Sequence, residues 1–310
     1  MDMLRIVLPV IVMLVIGMIC REKKLISTEG INGLQALVMN FTLPVALFTN
    51  FYTNKIDLNT IVFPLLFFAV TAGGIFFAKA LTRRAGQKDV YLPFMLTGYE
   101  AGMLGYALLG LLIGTAHLTT FAMMDVGHVT AIFTIYVAMM KNAGGGKQSV
   151  GEAVKGMLTT PVLIGILLGL ILGVSGLGLA LDGSSFGPVI AELGRFISAP
   201  TSAVILVVIG YRMKFRNINI SLVGKAVGLR ILQQVITAAL IFGLFYLLGG
   251  IFVSYYALIS ATVFVLLPPP FIIPLYIKEE AQKEFYSSAI SVYTMLTIVL
   301  FLILTAVVVL

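Results

Sequence analysis

The sequence predicts an all-α membrane protein: ten transmembrane helices in a 5+5 inverted repeat, the fourth and ninth discontinuous, with both termini outside. Three observations predict it. Of the 310 residues, 60% are hydrophobic and 11% charged, against roughly 25% charged in an ordinary soluble domain. Apolar runs follow one another along the whole chain, each near the roughly 20 residues that a spanning helix needs, so little is left for a separate soluble domain. Lys and Arg are concentrated in every second connection, the bias that cytoplasmic loops show.

The runs fall near residues 4–20, 31–51, 60–80, 91–113, 119–140, 159–181, 187–211, 224–248, 251–276 and 286–310. The first lies close to the start, as a secretory signal does, but it lacks a small-x-small cleavage pattern and Arg21, Lys23 and Lys24 follow it, so it is expected to stay as a helix. The single cysteine, Cys20, leaves no intramolecular disulfide or thiolate metal site to expect. Basic connections hold Arg21, Lys23 and Lys24; Lys79, Arg83, Arg84 and Lys88; Lys141, Lys147 and Lys155; Arg212, Lys214, Arg216 and Lys225; Lys278 and Lys283. The opposite side has Arg5 and Lys55. The net charge of +7 therefore belongs beside anionic headgroups and argues against a nucleic-acid partner. A multi-pass protein of the plasma membrane is expected, its partners the lipid bilayer and a small-molecule solute.

Residues 1–140 read as a first five-helix repeat, 141–158 as a cytoplasmic linker, and 159–310 as a second repeat. The linker segment Gly144-Gly145-Gly146-Lys147-Gln148-Ser149 approaches a phosphate loop, but Gln148 stands where Ser or Thr must hold magnesium; a flexible connection is expected. With five helices per half, the second half starts on the opposite side from the first. Equivalent helices carry matching interruptions: Phe41-Thr42-Leu43-Pro44 in the second and Ile197-Ser198-Ala199-Pro200 in the seventh. The fourth has Gly98, Gly102, Gly105, Gly110 and Gly114; the ninth has Pro268-Pro269-Pro270 and Pro274. Consecutive prolines remove backbone donors, so the ninth must unwind inside the bilayer, which is tolerated only beside protein or a water-filled cavity. Paired interruptions of this kind point to a carrier's binding site; the plain alternative is a kink in each helix.

The segments Asn40-Phe41-Thr42-Leu43-Pro44-Val45-Ala46-Leu47-Phe48, Glu100-Ala101-Gly102-Met103-Leu104-Gly105-Tyr106-Ala107 and Ala199-Pro200, with the ninth-segment prolines, make the chain resemble the auxin efflux carrier family of membrane transport proteins over essentially its entire length. The resemblance implies a scaffold of helices 1, 2, 6 and 7, a moving domain of helices 3–5 and 8–10, and a solute site where helices 4 and 9 cross. It implies small organic anions as substrates, indole acetate, malate and malonate among them. Bacterial relatives often carry Asn-x-Gly-x-x-Gly-x-Pro in the fourth helix. Here Glu100 replaces the Asn and Ala107 the Pro, which puts the ligand chemistry at the crossover in doubt.

Candidate substrate-binding residues are Glu100, Gly102 and Gly105 with Tyr99, Pro268, Pro269 and Pro270, and Asn40 and Pro44 in the second helix. A carboxyl at membrane depth must be protonated, paired or hydrated, so Glu100 either exchanges a proton, binds a cation or amine, or caps a half-helix. Asp125 and His128, three apart, share a helix face and form either a proton relay with Glu100 or a structural pair. Arg230, Gln233, Gln234 and Thr237 form a polar stripe that must face protein or water. Arg230 would hold a carboxylate substrate or pair with Asp125 or Glu192. Glu192 and Arg195 read as a local ion pair. Ser287, Ser291 and Thr294 suit helix-to-helix hydrogen bonds, and Gly165, Gly169 and Gly173 suit close scaffold packing or a homodimer.

No cofactor and no metal site are expected, since His117 and His128 are the two histidines and no His-Glu-x-x-His pattern occurs; a coupling ion would be H+ or Na+. The expected function is secondary transport of a small organic solute, an anion such as a carboxylate, by alternating access and proton-coupled, with no enzyme activity. The alternative is a sodium-coupled symporter or sodium/proton antiporter of the same superfamily, followed by a non-transporting receptor or an intramembrane enzyme.

Overall fold

The computed structural model describes residues 2–53, 62–145, 150–213, 219–249 and 254–309. Lys55, Gly146, Lys147, Gln148, Ser149, Lys214 and Arg216, invoked above, lie outside the described residues, as do positions 60–61, 251–253 and 310 of the expected spans. Among the described residues every regular element is helical: α1 Asp2–Glu22, α2 Thr28–Leu37, α3 Leu43–Phe51, α4 Val62–Arg84, α5 Leu92–Leu96, α6 Tyr106–Ile113, α7 Thr119–Ala131, α8 Val137–Ala143, α9 Val150–Leu158, α10 Pro161–Ser175, α11 Leu177–Asp182, α12 Gly187–Ser198, α13 Thr201–Arg212, α14 Ile220–Leu248, α15 Tyr255–Leu266 and α16 Glu280–Val309.

Among the described residues, eight helical stretches are long and apolar enough to cross a membrane: 4–22, 28–51, 62–84, 92–113, 119–143, 187–212, 220–248 and 280–308. The expected sixth and ninth spans are shorter helices. α10 has 15 residues, because Gly176, at φ +74°, ends it with a left-handed residue that glycine adopts without strain. α15 has 12 residues, because Leu267 turns extended and the three prolines follow. The expected linker is not wholly irregular. α8 reaches Ala143 and α9 fills Val150–Leu158, packing against the π turn Ile132–Tyr136.

Glycines set the closest helix pairs. α1 crosses α13 where Gly17 lies against the Val207 carbonyl and Gly210 against the Leu14 carbonyl, and a Cβ at either would overlap backbone. α10 lies on α3 in the same way: a Cβ at Gly165 would sit 2.5 Å from the Pro44 carbonyl oxygen and one at Gly169 2.7 Å from Phe51 Cβ. The Gly-x-x-x-Gly stripe thus faces a helix of its own chain, giving the close backbone approach such motifs permit. Gly127 of α7 does the same under the Pro64 carbonyl of α4.

The second and seventh helices bend without leaving the helical region. Pro44 has no N–H for the Asn40 carbonyl, and the chain absorbs this as a π turn over Val38–Thr42, in which the Leu43 amide reaches back to Val38. Pro200 similarly follows α12, and Ala199–Pro200 form a two-residue turn before α13. The two bends touch: Thr201 Oγ1 donates to Thr42 Oγ1 at 2.8 Å, buried.

Candidate functional site: the crossing of two broken helices

Two helix breaks face each other where the fourth and ninth spans cross. α5 stops at Leu96, and residues 97–100 run outside any helix before the π turn Ala101–Gly105 leads into α6. α15 stops at Leu266 and residues 267–270 do the same. The fourth-helix break therefore lies at Thr97–Glu100, at the first of the five glycines that mark this span. Gly98 is the reason: it stands at φ +77°, and a Cβ there would come within 2.9 Å of Pro270 Cγ. The Glu100 amide donates to the Pro268 carbonyl at 2.9 Å. In return the Phe271 amide donates to Glu100 Oε2 at 2.7 Å.

A helix end leaves carbonyls without intrahelical partners, and here six carbonyls around the two breaks are met by side chains. Tyr136 donates to the Phe94 carbonyl at 2.7 Å, Gln234 to Leu96 at 3.4 Å and Thr297 to Leu266 at 2.7 Å. Arg230 takes three more: Nη1 donates to Met95 at 2.7 Å, and Nη2 to Gly98 and Leu267, each at 2.9 Å. Its guanidinium is 0% exposed and lies 5.7 Å from the Tyr99 ring centroid and 4.8 Å from that of Tyr293. The pairing expected with Asp125 or Glu192 is not formed. Glu192 binds Arg195 on the exterior, and Asp125 binds His128 and Tyr106.

Behind the first break lies a buried polar chain. The Tyr99 amide donates to His128 Nε2 at 3.1 Å, which requires Nε2 to be an acceptor; the ring proton then sits on Nδ1 and donates to Asp125 Oδ1 at 3.1 Å. Tyr106 donates to the other oxygen of Asp125 at 3.1 Å. Tyr99 gives its hydroxyl to Gln234 Oε1 at 2.9 Å, and Gln233 and Thr97 both donate to the Gly74 carbonyl, each at 3.2 Å.

A cavity of about 440 Å³ reaches the crossing at Phe271, whose amide holds Glu100. Its walls carry Arg21, Asn32, Arg212 and Lys283 beside Ser287, Ser291 and Thr294. Arg212 donates to Asn32 Oδ1 at 2.9 Å. Arg21 donates to the carbonyl of Met213. The hydroxyls donate not to other helices but to carbonyls four residues back in α16: Ser287 to Lys283, Ser291 to Ser287 and Thr294 to Ile290, each at 2.8 Å. A second cavity of about 300 Å³, lined by Asn50, Tyr52, Asp182 and Arg195, lies at the other end of the helix pair α2–α3, since the first touches Thr28 and the second Tyr52.

Residues 2–309 match the model of a family described as membrane transport protein. The chain belongs to this family. It is the auxin efflux carrier-like family that the sequence resembles. A relative from Methanothermobacter thermautotrophicus, described as an uncharacterized transporter, is 25% identical over 240 residues, which cover 75% of this chain and 76% of that protein. The chain is accordingly a multi-pass membrane protein of a transport family.

In this transport protein the structure brings together Tyr99, Glu100, Pro268, Pro269 and Pro270, and places Asp125, His128, Arg230, Gln233 and Gln234 directly behind them. Gly102 faces the second helix with room to spare, a Cβ there standing 3.7 Å from Met39 Cε. Gly105 is instead packed inward, where a Cβ would meet Phe121 Cζ at 2.5 Å. Asn40 is exposed and Pro44 is buried against Gly165, so Met39 is the neighbour of the crossing. Among the described residues no group of three or more His, Cys, Asp or Glu is placed to hold a metal ion. Sequence reasoning missed Arg21, Arg212 and Lys283 as cavity residues because it counted them as loop charge. Phe271 was missed because its role is carried by a backbone amide.

Proposed function

We propose that this protein is a secondary active carrier of a small organic anion, a carboxylate by first choice, and that the solute sits where the two broken helices cross. The observation that carries the reading is the reciprocal pair Glu100 N–H to Pro268 and Phe271 N–H to Glu100. Two interrupted spans bonded to each other at membrane depth, with a cavity reaching them, are the layout of an alternating-access site. The cations Arg21, Arg212 and Lys283 favour an anionic solute in the approach.

A ten-span, 5+5 inverted plan is supported by paired contacts. α1 lies on α13 and α10 lies on α3; exchanging the two halves turns one pair into the other. The Pro44 and Pro200 bends and the two breaks exchange in the same way. In that plan helices 1, 2, 6 and 7 are the scaffold, the other six move, the basic loops face the cytoplasm and both termini lie outside. The larger cavity then opens to the cytoplasm, so the conformation described is inward-facing, in the plasma membrane.

Glu100 supplies the coupling. An ionised Glu100 repels a carboxylate bound beside it, so the solute binds with Glu100 protonated, and proton and anion travel together; Asp125 and His128 lie one residue away behind Tyr99 as the relay. The test is flux of a panel of carboxylates, amines and amino acids into liposomes holding the purified protein, with and without a pH gradient. Carboxylate uptake driven by the gradient and lost in Glu100→Gln is expected. Gradient-driven uptake that survives in Glu100→Gln would remove Glu100 from the mechanism, and flux of amines alone would overturn the choice of anion.

A further inference from the structure

We propose that Arg230 is a built-in cation: its guanidinium occupies the carbonyl cage between the two helix breaks, so the crossing takes no sodium ion. The consequence for coupling rests on the carrier reading; the occupancy of the cage does not.

The C-terminus of a helix is the negative end of its dipole; α15, of 12 residues, ends at the crossing, and the five-residue α5 adds its last carbonyls there. In carriers with broken helices, such half-helix ends and unwound carbonyls coordinate the coupling cation. Here the charge is covalent. Arg230 reaches both breaks at once, through Met95 and Gly98 on one side and Leu267 on the other. It is fully buried, and among the described residues no carboxylate lies within ion-pair distance of it; Asp125 is engaged by His128 and Glu192 by Arg195. Helix dipoles and the faces of Tyr99 and Tyr293 are what balance its charge.

A planar fork of donors suits three divergent carbonyls in a way that the single ammonium of lysine does not. A sodium ion entering the same cage would meet a like charge and carbonyls already engaged. Arg230 is thus a positioning residue: it holds the breaks in register and leaves the proton as the coupling ion.

The test is thermal unfolding of the purified full chain in sodium, potassium or choline chloride at equal ionic strength. Wild type is expected to unfold at one temperature in all three. Arg230→Ala is expected to unfold several degrees lower and to be raised again by millimolar guanidinium or by sodium, not by choline, while Arg230→Lys falls between it and wild type. A wild-type protein stabilised by sodium over choline overturns the proposal, and needs no variant to fold. So does an Arg230→Ala protein as stable as wild type and indifferent to every cation. Unfolding is read without any solute, so a chain that moves no carboxylate still decides this point, whereas sodium-driven uptake would overturn this inference and leave the carrier reading standing.

Discussion

Four helices of this protein are interrupted, three at proline and one at Gly98, and the interruptions are of two kinds. At Pro44 and Pro200 the helix loses a donor and bends; a π turn or a two-residue turn absorbs the change within the backbone. At 97–100 and 267–270 the chain leaves the helix altogether, and its stranded carbonyls are met by Tyr136, Gln234, Thr297 and Arg230. One missing N–H costs a helix little, because neighbouring turns and side chains re-satisfy the freed group. A full break strands several carbonyls where no water reaches, and each such group costs several kcal/mol unless bonded. The side chains that meet them are therefore part of the break. The bends shape the frame, while the breaks make a polar centre in an apolar molecule.

The comparison is broken most directly at Gly98. Alanine there would hold a left-handed conformation, at about 1–2 kcal/mol, and press on Pro270, overpacking that costs about 1–3 kcal/mol more. Gly98→Ala is expected to lower the unfolding temperature more than the other substitutions considered below. Gly73→Ala in α4 is its control: a Cβ there meets nothing within 4 Å, and alanine favours a helix over glycine by roughly 0.5–1 kcal/mol. A thermal scan showing equal losses for both would mean that the break has no special geometry.

His128 tests the chain behind the break. His128→Phe leaves the Tyr99 amide without an acceptor and Asp125 without its partner, each buried, at about 1–3 kcal/mol per group. His128→Gln, whose amide both accepts and donates, is expected to recover part of that loss. Hydrogen exchange at the Tyr99 amide should quicken in the Phe variant and less in the Gln variant. Unchanged exchange in both would show that the imidazole does not hold the break.

How much of this was legible in the sequence follows the same division. Helices were legible because apolar runs are long and unbroken by charge, and Pro268–Pro270 marked the second break because three missing donors admit no helix. Which glycine makes the first break was not legible, because Gly98, Gly102 and Gly105 look alike as letters; only φ and the approach of Pro270 separate them. Asp125 and His128 were legible as a pair from their spacing of three. Arg230 was legible as buried in polar company but not by partner, since its partners are carbonyls, which every residue possesses. Arg212 and Lys283 were hidden in plain view, because loop charge that orients a membrane protein also lines a cavity there.

The smallest expected effect lies at the bends, and it is the sharpest test of the contrast. Thr201→Val removes the hydroxyl that donates to Thr42 and leaves one buried oxygen short of a partner, at about 1 kcal/mol. Thr42→Val is expected to cost a similar amount. The double variant replaces both polar groups with apolar ones of the same shape, which is often nearly neutral, so the two losses should not add. A thermal-unfolding double-mutant cycle would give a coupling approaching about 2 kcal/mol, with both proline bends intact because the backbone alone makes them. Should Thr201→Val instead cost as much as Gly98→Ala, the bends would depend on side chains as the breaks do, and the distinction between frame and polar centre would fail.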